Sequence, residues 1–372
     1  MSKQPKSLCI CIISDAWHPQ VNGVVRTLSS LQSELKGMGH RVYMITPKMF
    51  KTVPCPTYPE IRLSLNVIGR LSALLDRINA DAIHIATEGP LGWAARRWCL
   101  KKGQAFTTAY HTAFPEYIAA RTPFGERWFY PIFRKFHAPA SGVLVATATV
   151  RKLLKKNGFK NIVNWTRGVD TKLFQPANRK CASPSDQIQL YVGRVAVEKN
   201  IEAFLSSRVP GRKIVVGDGP ALKSLRTKYP DVEFRGALQG QDLAAAYRAA
   251  DVFVFPSKTD TFGLVMIEAL ACGTPVAAYP VQGPLDVLGH DGTGPFSSWH
   301  TPIAALDQNL ETAIRDALTL NRRNCARFAA HYNWATVAEQ FVDALCLNDQ
   351  QTSHRFEKRM LKSSVILAKR ST

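Results

Sequence analysis

Short apolar runs alternate along this chain with longer stretches in which apolar residues recur every three or four positions. The runs at residues 8–13, 41–45, 188–192, 213–216, 232–234 and 252–255 predict strands, and residues 26–38 predict a helix that Gly39 closes. Strands that alternate with helices form parallel sheets with helices on both faces. Because both halves of the chain show this alternation, we predict an α/β protein of two Rossmann-like, doubly wound domains.

The domain organisation follows from the point at which the alternation restarts, near residue 187. A chain of 372 residues also exceeds what one compact core usually supports. We predict an N-terminal domain over residues 1–165, a C-terminal domain over 166–345 and a basic tail over 346–372. Ligands of doubly wound sheets bind beyond the carboxyl ends of the strands, so two facing sheets predict an interdomain cleft.

The net charge of +20 is unevenly distributed. Residues 1–165 hold 23 Lys and Arg against 8 Asp and Glu (+15), residues 166–345 hold 19 against 18 (+1), and residues 346–372 hold 6 against 2 (+4). A surface that docks on anionic lipid gains about 1 kcal/mol per basic residue near the membrane. Solubility charge and a nucleic-acid footprint are alternatives, but the chain has no nucleic-acid-binding motif.

The apolar and cysteine patterns indicate an intracellular location. The longest apolar runs are far shorter than the roughly 18 residues that a membrane-spanning helix needs. The apolar stretch after Lys6 breaks at Ser14 and Asp15, which argues against a secretory signal. The 8 cysteines are scattered without a C-x-x-C pair, so neither zinc nor redox chemistry is indicated.

The segment at residues 255–276 carries the strongest chemical signal. It reads Phe-Pro-Ser-Lys-Thr-Asp-Thr-Phe-Gly-Leu-Val-Met-Ile-Glu-Ala-Leu-Ala-Cys-Gly-Thr-Pro-Val. A predicted strand leads through a turn at Gly263 into a helix that carries Glu268 in its second turn. The first N–H groups of a helix are unpaired and attract anions and polar oxygens. Asp260 and Glu268 are therefore predicted to reach one crevice.

This segment resembles the E-x7-E signature of the retaining, nucleotide-sugar-dependent glycosyltransferases of family 4, with Asp260 in place of the first glutamate. The resemblance extends over roughly residues 8–345 and implies the GT-B fold. It is similar above all to the branch that holds α-mannosyltransferases and lipid-modifying transferases. Four further segments match that family in the expected order: Asp15-Ala16-Trp17-His18-Pro19 with Asn22-Gly23-Val24, Thr87-Glu88-Gly89-Pro90-Leu91-Gly92, Tyr110-His111-Thr112, and Gly168-Val169-Asp170.

The resemblance implies roles for the donor-binding residues. Arg194 and Lys199 would clamp the diphosphate, a role that suits the planar donor fork of arginine. The Gly23 loop and the helix after Gly263 would add backbone N–H donors. The ribose hydroxyls would be held by Glu268 and the hydroxyls of the donor sugar by Asp260. The full predicted donor-binding set is Gly23, Arg194, Lys199, Asp260, Phe262, Gly263, Leu264 and Glu268.

The predicted catalytic set is His111, Asp260, Arg194 and Lys199. His111 follows a strand-like run at residues 105–110, and the corresponding histidine of the resembling family contacts the donor sugar. Asp15 and Glu88 are candidates for acceptor binding. The chain contains no D-x-D pair, so we expect neither a metal nor another cofactor, and the UDP- or GDP-linked sugar is a substrate.

The expected function is transfer of a hexosyl unit to a membrane lipid of the diacylglycerol or phospholipid type, at the inner face of the cell membrane. Residues 127–136 interleave aromatic rings with cations, a composition that suits a membrane interface. One alternative is a GDP-mannose-dependent α-mannosyltransferase that acts on an envelope polysaccharide or a soluble glycan. Another is an inactive GT-B binding protein. The sequence does not select the nucleotide base, the sugar or the linkage.

Overall fold

The computed structural model describes residues 7–20, 22–55, 58–111, 125–177, 183–260 and 262–345. The predicted tail at 346–372 lies outside these residues, as does Thr112 of the predicted histidine motif. The described chain forms two compact units. The first unit comprises the residues up to Val145, Leu154–Val163 and the residues from Gln340 on, and the second comprises Ala146–Leu153 and Asn164–Glu339. One of these chain crossings lies within two residues of the predicted boundary at 165/166.

The first unit contains a parallel six-stranded sheet in the order β2-β1-β5-β6-β7-β8, and a separate antiparallel hairpin of β3 and β4. Its strands are β1 (Cys9–Ile13), β2 (Arg41–Ile45), β3 (Thr52–Cys55), β4 (Tyr58–Ser64), β5 (Ala82–Ile85), β6 (Thr107–Tyr110), β7 (Gly142–Val145) and β8 (Ile162–Asn164). Its helices are α1 (Gly23–Gly37), α2 (Val67–Ile78), α3 (Pro90–Lys102) and α4 (Tyr130–His137). Helix α5 (Ala148–Lys156) begins in the second unit and ends in the first.

The second unit contains a second parallel six-stranded sheet, in the order β11-β10-β9-β12-β13-β14. Its strands are β9 (Ile188–Val192), β10 (Arg212–Val216), β11 (Glu233–Gly236), β12 (Val252–Phe255), β13 (Val276–Ala278) and β14 (Ala304–Leu306). The remaining helices are α6 (Ile201–Leu205), α7 (Leu222–Lys228), α8 (Gly240–Ala249), α9 (Leu264–Ala271), α10 (Gln282–Leu288), α11 (Leu310–Ala317), α12 (Arg322–Ala329) and α13 (Trp334–Ala344).

The apolar patterns explain these elements. Every residue of β1, β5 and β12 is buried, as expected for strands that helices cover on both faces. Helix α1 buries Leu28, Leu31 and Leu35 on one face. No helix among the described residues is long and apolar enough to cross a membrane. The predicted α/β class with two parallel sheets is confirmed.

In each sheet, the direction in which the chain adds successive strands reverses at one point, which we call the reversal of that sheet. The chain proceeds from β1 outward to β2 and then returns to β5 on the other side of β1; likewise it proceeds from β9 through β10 to β11 and returns to β12. Crevices at such reversals, beyond the carboxyl ends of the two diverging strands, are where doubly wound sheets bind ligands. The predicted site residues that follow β1, β5, β9 and β12 fall at these two places, whereas His111 follows β6.

Candidate active site

Glycines bring the turns of the second sheet into close contact. Gly217 follows β10 with a φ of +145°, and a Cβ there would lie 1.8 Å from the carbonyl oxygen of Gly193 after β9. The Gly193 N–H donates to the Val216 carbonyl at 3.0 Å, and the Val195 N–H donates to the Asp218 carbonyl at 2.9 Å. The turn after β9, which carries Arg194, is therefore held in place by the turn after β10.

Arg194 lies in this turn, directly after Gly193. Its backbone carbonyl accepts a hydrogen bond of 2.8 Å from the hydroxyl of Tyr191 on β9. Burial raises the pKa of the Tyr191 phenol, and the negative charges of Asp260 and Glu198 raise it further. Tyr191 is thus a neutral hydrogen-bond donor that holds the backbone of the turn at Arg194.

Lys199 and Asp260 are in direct contact across the reversal of the second sheet. The Lys199 Nζ donates to the Asp260 Oδ1 at 2.5 Å, and the two side chains are 23% and 24% exposed. Next to the lysine, Asn200 has a φ of +53° and donates from its side-chain amide to the Pro256 carbonyl at 3.1 Å. The turns after β9 and β12 are therefore joined by side chains as well as by the sheet.

Helix α9 begins beside this pair. Gly263 is its N-cap with a φ of +80°, and a Cβ there would lie 2.8 Å from Met266 Cε and 3.0 Å from the Phe255 ring. Leu264 is the first residue of the helix, and Phe262 packs its ring edge-on against Tyr332. The tight αL turn explains why glycine stands at this position.

Glu268 lies in the second turn of α9 and is only 6% exposed. Its Oε2 accepts a hydrogen bond of 3.0 Å from the hydroxyl of Tyr247, a fully buried residue on α8. A buried carboxylate needs such donors to remain charged. Tyr247 could not be predicted as a partner of Glu268 from the sequence, because it precedes Glu268 by 21 residues and belongs to another helix.

Asp15 occupies the reversal of the first sheet and caps helix α3. Its carboxylate accepts from the N–H groups of Leu91 and Gly92, at 2.8 and 3.2 Å, and from the Thr87 hydroxyl at 2.9 Å. Burial raises the pKa of Asp15 to about 6, although these hydrogen bonds oppose the shift. A Cβ on Gly89 would lie 2.4 Å from the carboxyl carbon, which explains that glycine.

Glu88 lies next to this cap and contacts a buried histidine. Its Oε1 is 3.2 Å from Nε2 of His137, and Nδ1 of the same ring is 2.8 Å from the Thr108 hydroxyl on β6. Glu88 thus comes from the turn after β5, while the histidine ends α4. Asp15 and Glu88 lie in the turns after β1 and β5, which are neighbouring strands, and the negative charge of Glu88 adds to the burial that raises the pKa of Asp15.

Gly23 and His111 are the other predicted residues of the first unit. Gly23 is the first residue of α1, and the Asn22 side-chain oxygen accepts from the N–H groups of Val24 and Val25 at 3.1 and 3.0 Å. Two of the amides at this helix start therefore already have a partner. His111 directly follows β6 and is half-buried.

Trp165 and Arg167, which precede the Gly168-Val169-Asp170 motif, are packing residues. The Trp165 indole N–H donates to the Val337 carbonyl at 3.1 Å, and the Arg167 guanidinium lies 4.5 Å from the centre of the indole. Burial lowers the pKa of Arg167 to about 9. A Cβ on Gly168 would lie 2.7 Å from the Trp334 ring, so this segment is tied to the start of α13.

Family models match most of the chain. The model for Glycosyltransferase Family 4 matches residues 21–173, and the model for Glycosyl transferases group 1 matches residues 186–319. The chain therefore joins a Glycosyltransferase Family 4 domain to a Glycosyl transferases group 1 domain. The predicted enzyme class, a nucleotide-sugar-dependent glycosyltransferase, is confirmed by these matches and by the relatives.

Three curated relatives are named glycosyltransferases or glycolipid synthases. A GDP-mannose-dependent alpha-mannosyltransferase of Mycobacterium tuberculosis is 29% identical over 90% of this chain and 95% of its own length. The sulfoquinovosyl transferase SQD2 of Arabidopsis thaliana is 31% identical over 74% of this chain, which spans 60% of that protein. An alpha-monoglucosyldiacylglycerol synthase of Streptococcus pneumoniae is 26% identical over 96% of this chain and 89% of its own length.

The fold matches a solved glycosyltransferase structure. Sucrose-phosphate synthase from Thermosynechococcus elongatus superposes with a TM-score of 0.70 at 24% identity, covering 90% of this chain and 97% of the other. At this identity the likeness shows the fold alone. It confirms the predicted GT-B class for a protein of two parallel-sheet α/β domains.

Proposed function

We propose that this enzyme is a retaining hexosyltransferase that moves a sugar from a UDP- or GDP-linked donor to a membrane lipid of the diacylglycerol or phospholipid type. The observation that carries the proposal is the meeting of Lys199 with Asp260 at the reversal of the second sheet, beside the helix that holds Glu268. One cation and two carboxylates thus lie where such sheets bind ligands.

The charges that develop in the reaction account for this arrangement. The bond from the anomeric carbon to the diphosphate oxygen breaks, a new bond forms from that carbon to the acceptor hydroxyl oxygen, and the hydroxyl proton leaves with the diphosphate. Arg194, Lys199 and the N–H groups at the start of α9 would stabilise the departing negative charge. This proposal assigns the charge to protein groups and includes no metal.

The sugar and ribose contacts follow from the two carboxylates. Asp260 would accept from hydroxyls of the donor sugar, and Glu268, oriented by Tyr247, would accept from the ribose hydroxyls. Carboxylates fixed before the donor arrives lose little freedom when it binds. In the first unit, His111 would contact the donor sugar, and Glu88 and Asp15 would face the acceptor.

The lipid acceptor is supported by the surface of α4 and by a relative. Trp128 and Ile132 are 63% and 54% exposed, although both are large and apolar. Arg127 lies over the Trp128 ring at 5.9 Å, and Arg134 donates to the carbonyl of Asn157, which places the exposed lysines at 155 and 156 nearby. Apolar and basic side chains on one surface suit an anionic membrane. One relative carries a diacylglycerol product in its name.

A GDP-mannose-dependent α-mannosyltransferase acting on an envelope polysaccharide or soluble glycan is the second candidate. It is favoured by a relative of that name that matches over 95% of its own length. This candidate shares the donor chemistry of the second unit and differs in the acceptor.

The two candidates are separated by the partition of labelled product. The enzyme is incubated with radiolabelled UDP- and GDP-sugars, liposomes containing diacylglycerol and anionic phospholipid, and a chelator in a parallel sample. We expect label from one donor in the organic phase, with the rate unchanged by the chelator. Transfer of label to polysaccharide in a parallel sample that contains it, with none in the organic phase, would favour the glycan acceptor. Loss of turnover in the chelator would overturn the metal-free assignment.

A further inference from the structure

The direct bond between Lys199 and Asp260 joins two groups that have separate duties in the proposed function, on which this inference rests. The lysine would bind the diphosphate, while the aspartate would bind the sugar. The Lys199 Nζ lies 2.5 Å from the Asp260 Oδ1, so the two groups are bonded to each other before any ligand binds. A nucleotide phosphate that takes Lys199 must therefore compete with the Asp260 carboxylate.

The pair is held by the backbone around it. The Asn200 side chain donates to the Pro256 carbonyl at 3.1 Å, and the Thr259 hydroxyl reaches the Glu198 carbonyl at 3.4 Å. On the other side, a Cβ on Gly283 would lie 2.3 Å from the Asp260 carbonyl oxygen, so α10 packs directly against this turn. These contacts hold the turns after β9 and β12 together, so the fold of the second unit keeps Lys199 next to Asp260.

We propose that Asp260 is a specificity-determining residue that lets the enzyme distinguish the nucleotide sugar from the nucleoside diphosphate product. A bare nucleoside diphosphate draws Lys199 from Asp260 and offers the carboxylate no hydrogen-bond donor in return. The intact donor brings sugar hydroxyls that donate to the same carboxylate. Separating Lys199 from Asp260 costs free energy in both complexes. The sugar hydroxyls of the nucleotide sugar compensate this cost, whereas the nucleoside diphosphate has none, so it binds more weakly and is released.

Asp260 could instead orient Lys199 toward the phosphates, and the two roles predict opposite changes in nucleoside diphosphate affinity when the carboxylate is removed. If the carboxylate merely orients Lys199 toward the phosphates, its removal weakens nucleoside diphosphate binding. If it competes for Lys199, its removal strengthens that binding. The sign of the change therefore decides between the two roles.

The test is a binding cycle by titration calorimetry with UDP, GDP and the matching nucleotide sugars. It compares wild type, Asp260→Asn, Lys199→Gln and the double variant, with Asp260→Ser as a second way of removing the charge. We expect both Asp260 variants to bind the nucleoside diphosphate about three- to tenfold more tightly, the range for a partly exposed ion pair. Their preference for the nucleotide sugar over the diphosphate should fall, and the gain should vanish in the Lys199→Gln background.

A matched control is the pair of Lys228 and Glu202 in the same unit, which has the same 2.5 Å separation but is largely exposed. Glu202→Gln should leave nucleoside diphosphate affinity unchanged. Weaker or unchanged binding in both Asp260 variants, with wild type binding normally, would overturn the inference alone. Failure of wild type to bind any of the nucleotides would overturn both the inference and the proposed function.

Discussion

Single carboxylates in this enzyme differ in the donors that hold them. Asp15 accepts from backbone amides, Asp260 from a lysine, and Glu268 from a tyrosine hydroxyl. The amides that donate to Asp15 belong to the start of helix α3, so this carboxylate also stabilises a helix. The donors to Asp260 and Glu268 are side chains of other elements, and the proposed function assigns both carboxylates to the donor.

Tyr247→Phe tests the positioning of Glu268. The substitution removes the 3.0 Å hydrogen bond to Glu268 and keeps the ring. A hydrogen bond to a charged group contributes about 1.5–3 kcal/mol, so we expect the KM for the nucleotide sugar to rise roughly tenfold or more. The kcat should change little, because the ribose contact is the same in the ground and transition states. Steady-state kinetics with varied donor measures both.

The control for this variant is Tyr332→Phe, which removes another buried tyrosine hydroxyl, one that donates to the Val287 carbonyl at 3.4 Å. It should leave the donor KM unchanged. Equal kinetics in wild type and Tyr247→Phe would contradict the positioning role.

At the scale of elements, the sequence predicted strands well and helix starts less well. The predicted runs at 41–45, 188–192 and 252–255 coincide with β2, β9 and β12. A strand that is buried throughout, such as β12, leaves a continuous apolar run. Helix α1 begins at Gly23 and not at Arg26, because Asn22 caps it. The cap residue was visible in the sequence, but the apolar period becomes evident only further along the helix.

Helix α4 and the turn before it carry the proposed membrane contact. Trp128→Ser with Ile132→Ser removes the two large exposed apolar side chains of this surface. Burying such a side chain contributes about 1.5–3 kcal/mol, so we expect binding to anionic liposomes to weaken at least tenfold at low salt. Cosedimentation with vesicles of phosphatidylglycerol and phosphatidylcholine measures this binding.

Tyr43→Ser, on the outermost strand β2, provides the control for an exposed aromatic residue elsewhere in the same unit. It should not alter liposome binding. Identical liposome binding by wild type and the variant with Trp128→Ser and Ile132→Ser would contradict the proposed membrane contact.

For the whole molecule, the sequence predicted the class of fold and the order of the motifs, but not the contacts between distant segments. Lys199 and Asp260 are 61 positions apart, and Glu88 and His137 are 49 apart. Neither spacing follows a strand or helix period, so only the folded sheet shows that these groups meet. The reversal of each sheet explains why: it places turns that are distant in sequence at neighbouring strand ends.

The central claim is nucleotide-sugar-dependent transfer to a lipid through the site in the second unit. The measurement that tests it most directly is nucleotide release from a panel of UDP- and GDP-sugars, with and without anionic liposomes containing diacylglycerol. Wild type is compared with Glu268→Ala and with Glu339→Ala, a change of an exposed glutamate in the same unit.

We expect release from one donor to be stimulated by the lipid, lost in Glu268→Ala and retained in Glu339→Ala. Release from no donor under any condition, or equal release by wild type and Glu268→Ala, would contradict the central claim.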